Sequence, residues 1–222
     1  ASPGHIRLVK DYPVFPVLAQ QSIRELNLTD RTYEDVLNAA SWAVFQEGYT
    51  KGFGADGDHL KTHDEVDMAL NHGYTMITLD CSEHIDNDIS SAGADEIQTK
   101  YNALPKETRT HLEEKYLNKT FEIDSNYSIS YTDDNFKQIV LIYVNAIDFT
   151  LDIYNEHIKS LDRPIDFEMS IDETLTSTSP EAHYFVAREL IDGGVAITSL
   201  APRLCGEFQK GIDYIGNIEQ FK

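Results

Sequence analysis

Basic residues are scarce in this chain: 18 lysines and arginines stand against 38 aspartates and glutamates, a formal net charge of −20. Such a surface repels phosphate backbones and anionic lipid, which argues against nucleic acid and membrane surfaces as partners. Long hydrophobic runs are missing too. No stretch of about 18 apolar residues occurs, so no segment reads as a transmembrane span. Cysteine is nearly absent, with Cys81 and Cys205 alone, each in or beside an apolar run. Two buried thiols in a reducing compartment is the plainest reading, and it points to the cytoplasm. The opening Ala1-Ser2-Pro3-Gly4-His5 lacks the basic and apolar segments of a signal peptide. It also lacks a starting methionine, as a chain cut from something longer would. Neither a phosphate loop nor a dinucleotide fingerprint is present, Ser22 has no nucleophile-elbow context, and neither cysteine has a catalytic setting.

What is there reads as a globular α/β protein. The 222 residues are 41% hydrophobic and 25% charged, enough for a substantial core. Short apolar runs alternate with helical patterns. Strands are expected at Val14 to Ala19, weakly at Gly52 to Ala55, and at Tyr74 to Leu79, Ile165 to Ile171 and Val195 to Leu200. Helices are expected after a Thr32 cap with Asp35 three residues on, after Thr62 with a stop at Gly73, and after Thr132-Asp133. A further one opens at Ser179-Pro180 and closes at Gly193-Gly194, and a last one begins near Ile215 to Asn217. Between Leu79 and Ile165 only helices are expected, and residues from about 90 to 131 read as a helical insertion after the third strand.

Strands alternating with helices imply a parallel sheet, doubly wound or closed as a barrel. Each strand is expected to end, on its carboxyl side, in polar groups. Gln20, Gln21 and Arg24 follow the first; Asp56, Asp58, His59 and Lys61 the second; Asp80, Ser82, Glu83 and His84 the third. Asp172 and Glu173 follow the fourth, and Arg203 and Glu207 the fifth. A doubly wound sheet needs this only at its switch point, whereas a barrel builds its site from every strand end. The fold expected is therefore a (β/α)8 TIM-barrel type. Five βα units fall short of the eight that closure needs, so an incomplete barrel is expected, a single catalytic-domain fragment over residues 1–222.

Three constellations carry candidate chemistry. In Asp56-Gly57-Asp58-His59-Leu60-Lys61, a histidine beside carboxylates can ligate a divalent metal while a carboxylate orients its second nitrogen. The same run also reads as a solvated acidic loop leading into a capped helix. Glu168, Ser170 and Asp172 share one strand face. Glu168, between Phe167 and Met169, is either salt-bridged or facing a polar site. Carboxylates from two strands suit acid–base work on opposite faces of a substrate. Arg203 suits bidentate capture of a carboxylate, with Glu207 as its alternative partner. His63, His72, His84, His111, His157 and His183 show no ligand spacing and read mostly as surface or helix-packing residues.

The motifs ASPGHIR, VFPVLAQQSIRE, FQEGY, GFGADGDHLKT, the SEH of LDCSEHIDN, FEMSIDET, TSP and SLAPRLCGEFQKGIDYIG fall in order along the chain. Together they resemble the tagaturonate epimerase family. The resemblance implies a divalent-metal enzyme that interconverts tagaturonate and fructuronate, small sugar acids of hexuronate catabolism, with further strands at both ends. It implies Asp58 as base, His59 as metal ligand, and Glu168 or Glu173 as opposing acid, with Asp172 beside it. Gln20, Gln21, Lys61 and Arg203 would hold the substrate. Gly57 departs from the family's usual Ala, and Cys205 from a bulkier apolar residue. Rival readings are another metal-dependent ketose isomerase, a class II aldolase, or a non-catalytic carbohydrate-binding protein; a homo-oligomer is compatible with each.

Overall fold

A computed structural model describes residues 2–208 and 211–222. Seven strands are present among them: β1 (Val17–Ser22), β2 (Gly54–Leu60), β3 (Met76–Asp80), β4 (Thr120–Glu122), β5 (Ser128–Ser130), β6 (Asp166–Ser170) and β7 (Ser199–Ala201). The helices are α1 (Ser2–Val9), α2 (Ile23–Thr29), α3 (Tyr33–Glu47), α4 (His63–Asn71), α5 (Ala94–Ala103), α6 (Lys106–Tyr116), α7 (Asp133–Ile153), α8 (Pro180–Asp192) and α9 (Ile218–Phe221). No described helix is long and apolar enough to cross a membrane.

Five strands form one sheet in the order β1-β2-β3-β6-β7, and the β1–β2, β2–β3 and β3–β6 pairs are parallel. The α/β class and the parallel sheet agree with the sequence, and the sheet is open. Its order follows the chain without the reversal that marks a doubly wound sheet.

The strand limits differ from expectation in ways the backbone explains. β1 starts at Val17 because Pro13 and Pro16 have no N–H to give a ladder; pairing opens with the Gly54 N–H donating to the Pro16 carbonyl at 2.9 Å. Gln20 and Gln21 are consequently in the strand, not after it. β2 is seven residues long and contains Asp56, Asp58 and His59, which the sequence had put in the following loop. Polar side chains hid the strand, since apolar alternation is the signal for one. The last strand is Ser199–Ala201, shorter and later than Val195 to Leu200. A hairpin of β4 and β5 occupies a region where only helices were expected. Strands of three residues are too short for alternation to register, and the turn is fixed locally by the Asn126 N–H donating to Asp124 Oδ1 at 2.7 Å. Helices α1 and α2 were not foreseen; α2 is set by a capping box between Ser22 and Glu25.

Caps at Thr32, Thr62 and Ser179 are present as the sequence implied. Thr32 closes its box with Asp35 and Thr62 with Glu65.

The chain divides into two compact units. The first comprises the residues up to Asp80, Ile153–Ser170 and Ala196–Ser199. Its core sets Ile77, Leu79, Phe167 and Met169 of the sheet with Val66 and Ala69 of α4, all essentially inaccessible. Tyr33 and Tyr74 meet edge to face with centroids 4.7 Å apart, and the Tyr74 hydroxyl donates to the Tyr33 carbonyl at 3.1 Å. Arg163 donates to the Tyr74 and Leu70 carbonyls at 2.7 and 3.0 Å, satisfying the end of α4 and the entry to β3.

The second unit comprises Cys81–Asp152, Ile171–Val195 and the residues from Leu200. Helix α7 is buried on most of its circumference, through Phe136, Val140, Tyr143 and Ile147 among others. Tyr116, buried against Tyr131 and Phe185 at 5.2 and 5.1 Å between centroids, donates its hydroxyl to Glu189 at 2.7 Å. Lys115 completes that cluster by pairing with Glu189 and Asp192.

Candidate functional site

Register places most polar strand residues of the first unit on one side of the sheet. Gln20 lies opposite Asp56, Ser22 opposite Asp58, Thr78 opposite Glu168 and Asp80 opposite Ser170. Side chains alternate along a strand, so the residues between these point the other way. Gly57 shows this directly: a Cβ there would sit 3.0 Å from Ala69 of α4 and 3.0 Å from Leu60. The sheet thus has an apolar face under α4 and an opposite face bearing Asp56, Asp58, Thr78, Asp80 and Glu168.

A bulge ends the alternation of β2. Gly57 pairs with Ile77, but Leu60 pairs with Leu79, so three steps on β2 match two on β3. His59 is the extra residue, with φ of 54°, in the left-handed region. The kink returns Leu60 to the apolar face and lets His59 turn beside Asp58, whose Oδ1 is 2.9 Å from Nδ1. A non-glycine residue held there is strained, and such strain gathers at functional sites.

Asp56 is nearly inaccessible, at 3% exposure. The Thr78 hydroxyl donates to its carboxyl oxygens at 3.1 and 3.2 Å. Burial first, then the neighbouring charge of Asp58, pushes Asp56 up to about 7, with Glu168 adding to the rise and Thr78 and His59 opposing it. The sequence grouped Asp56 with its neighbours but gave it no role of its own. Its signal was the two-residue spacing from Asp58, legible only once the run is known to be a strand.

Glu168 accepts a hydrogen bond from the Ser199 hydroxyl. At the end of β3, Asp80 is buried, with 2% exposure, and lies 3.5 Å from the Lys61 ammonium. Lys61 itself is anchored through its backbone N–H, which donates to Glu65 at 2.6 Å. A ring nitrogen of His59 and a carboxylate oxygen of Asp80 come within 4.8 Å of each other. With Asp58 on Nδ1, only Nε2 of His59 would be open to a metal, the arrangement in which a carboxylate fixes the tautomer of a metal-binding histidine. The donor types, imidazole and carboxylate, fit a divalent cation.

Gln21 points away from this group, toward the apolar side, and accepts from Arg31 at 3.1 Å. Gln20 is exposed on the polar face. Glu173 and Arg203 belong to the second unit. There the Arg203 guanidinium is 3.4 Å from the Asp172 carbonyl, and its backbone exchanges hydrogen bonds with Thr178. Asp172 and Arg203 line a cavity of about 580 Å³ with Pro202, Gly206 and Glu207. Gln209 and Lys210, inside the last sequence motif, lie outside the described residues. Among the remaining histidines, His84 stacks on Phe149 at 4.0 Å and His72 binds the Met68 carbonyl at 2.7 Å, both packing roles.

Fold and geometry define a class: a parallel α/β protein with carboxylates, a histidine and a lysine gathered on one sheet face. The profile of the tagaturonate epimerase family (UxaE) matches residues 1–222, and the chain belongs to that family. A tagaturonate/fructuronate epimerase of Thermotoga maritima is 41% identical over 221 residues, which is 100% of this chain and 45% of that protein. Two crystal structures of the fructuronate-tagaturonate epimerase UxaE from Cohnella laeviribosi are similar in fold. The native form has a TM-score of 0.95 at 53% identity, and a form complexed with one glycerol has 0.96 at 54%. Each match covers 100% of this chain and 45% of the other, so the chain spans less than half the length of these relatives.

Proposed function

We propose that the protein carrying this chain is an epimerase that interconverts D-tagaturonate and D-fructuronate in hexuronate catabolism. The observation that carries the reading is the family match over the whole chain, with Asp56, Asp58 and Glu168 on one sheet face. The chain is read as an open segment of a (β/α)8 barrel. Parallel strands taken in chain order, with ionisable groups at their carboxyl ends, support this.

The chemistry sets what the residues must do. The inverted carbon lies one position beyond the carbon next to the ketone, so the carbonyl does not acidify its C–H. Proton abstraction from carbon is therefore disfavoured. Instead, Asp58 takes the proton from the hydroxyl on the carbon to be inverted. The bond from that carbon to the one beside the ketone breaks, its electron pair passing toward the ketone and leaving an aldehyde. Rotation of the aldehyde and re-addition through its other face re-form the bond with the centre inverted. Glu168 or Glu173 returns the proton to oxygen, with Asp172 beside Glu173 in sequence. A divalent cation, held by His59 with Asp80 near it, would polarise the ketone oxygen. Gln20, Lys61 and Arg203 are proposed to take the substrate carboxylate and hydroxyls, while Gln21, bonded to Arg31, steadies β1.

The test is direct assay of the full-length protein on tagaturonate, with product analysis before and after chelator treatment. Fructuronate is expected, with activity lost on chelation and restored by a divalent metal. No conversion would overturn the function; undiminished activity after complete metal removal would overturn the metal's part in it.

A further inference from the structure

His63 and His157 are 94 residues apart in sequence, yet their ring nitrogens Nδ1 and Nε2 lie 2.7 Å from each other. His63 opens α4, directly after its Thr62 cap. His157 is on a π-helical turn, Tyr154–Ile158, that follows α7. The turn is closed by the Lys159 N–H donating to the Tyr154 carbonyl at 2.9 Å. Such turns recur at functional sites. Here it presents His157 and its neighbour Glu156 to the same point: Glu156 Oε2 is 3.2 Å from His63 Nδ1. One ligand atom from each of His63, Glu156 and His157 lies within 4.8 Å of the others.

The second nitrogen of His157 is also accounted for. Its Nδ1 is 2.7 Å from Asp67 Oδ1, one turn along α4 from His63. His157 is buried, so this contact fixes both its ring orientation and its tautomer, with Nδ1 carrying the proton and Nε2 presenting a lone pair to His63. An imidazole held in this way by a carboxylate is the usual arrangement around a metal-binding histidine.

We propose that His63, Glu156 and His157 form a binding site for a divalent transition metal of the zinc type, with Asp67 as its orienting carboxylate. Two imidazoles and one carboxylate select such an ion over calcium or magnesium, which favour all-oxygen shells. Three protein ligands leave a fourth, solvent-facing position in a tetrahedral shell. With metal–nitrogen bonds of about 2.0–2.1 Å, the two nitrogens would stand about 3.3 Å apart. That asks a small outward turn of His63, whose side chain is 37% exposed.

The site is separate from the acid–base face. Ala69 of α4 closes on Gly57, and Tyr154 of the π turn packs on Phe167 at 5.5 Å. Gly57, Ile77 and Phe167 are in register on the apolar face, opposite Asp56, Asp58 and Glu168. A metal there would tie α4 to the turn that leads into β6, the strand bearing Glu168. The proposal does not depend on the epimerase reading.

The test uses the full-length protein stripped with chelator and equilibrated with Zn2+ alone, the bound metal counted per chain. His63→Ala and Glu156→Gln are each expected to bind one equivalent fewer than wild type. Asp67→Asn should keep the stoichiometry and weaken that equivalent by roughly ten- to a hundredfold. Zn2+ should raise the unfolding temperature of stripped wild type more than that of His63→Ala. Both altered groups are substantially exposed, so the variants are expected to fold, which circular dichroism checks. Folded His63→Ala and Glu156→Gln with wild-type stoichiometry, affinity and thermal shift would overturn the proposal.

Discussion

Asp56 and Asp58 are two residues apart on one strand and differ in what surrounds them. Asp58 is partly open and bonded to His59, which suits a carboxylate that exchanges a proton with substrate oxygen. General acid–base groups contribute about 10²- to 10⁴-fold in rate, so Asp58→Asn should lower kcat by that factor while leaving substrate affinity nearly unchanged. Steady-state kinetics of the full-length protein checks this.

Asp56 is buried and bonded to Thr78, and its carboxyl titrates near neutrality in the fold, at about 7. Above the acid range an unfolded chain releases this proton while the folded one keeps it. Its stabilising contribution is full below about pH 4 and is lost as pH rises through 7. Between pH 5 and pH 8 the loss amounts to about 3 kcal/mol. Asp56→Asn keeps the shape and removes the titration. Thermal unfolding of the chelator-treated variant should therefore vary less between pH 5 and 8 than wild type does. An identical pH dependence would mean that Asp56 is ionised throughout.

Among the elements, β2 decides the geometry of the face, and its bulge decides where His59 points. The left-handed conformation at His59 costs a side-chain-bearing residue about 1 kcal/mol or more relative to glycine. His59→Gly should thus be more stable than His59→Ala by about that amount in urea unfolding. Equal stabilities would show that the bulge carries no strain. β2 is also where sequence reading fell shortest. Its Asp-Gly-Asp-His run lacks the apolar alternation that identifies a strand, because its outward side chains meet a polar face instead of a core. Elements defined by chemistry next to them in sequence were legible: the caps at Thr32, Thr62 and Ser179 each need only a hydroxyl or a pair three residues apart. Contacts between distant segments were not. His63 and His157 offered no ligand spacing, since α4 and a π turn 94 residues away bring them together.

At the scale of the whole molecule, the chain that carries the five-stranded sheet spans less than half the length of the relatives. The parallel sheet was readable from the chain because it follows from alternating strand and helix patterns, whereas Gln20, Gln21, Asp56, Asp58 and His59, expected after their strands, lie within them. The placement of Asp56, Asp58, Thr78 and Glu168 on one face required the register, which no local signal encodes.

In the full-length protein that face is proposed to break and re-form a carbon–carbon bond, with Asp58 acting on oxygen. The inverted carbon then keeps its own hydrogen through every turnover. Conversion of tagaturonate in heavy water, followed by NMR of the fructuronate formed, tests this most directly. No deuterium is expected at the inverted carbon. Substantial deuterium there would mean direct deprotonation of carbon and would contradict the proposal.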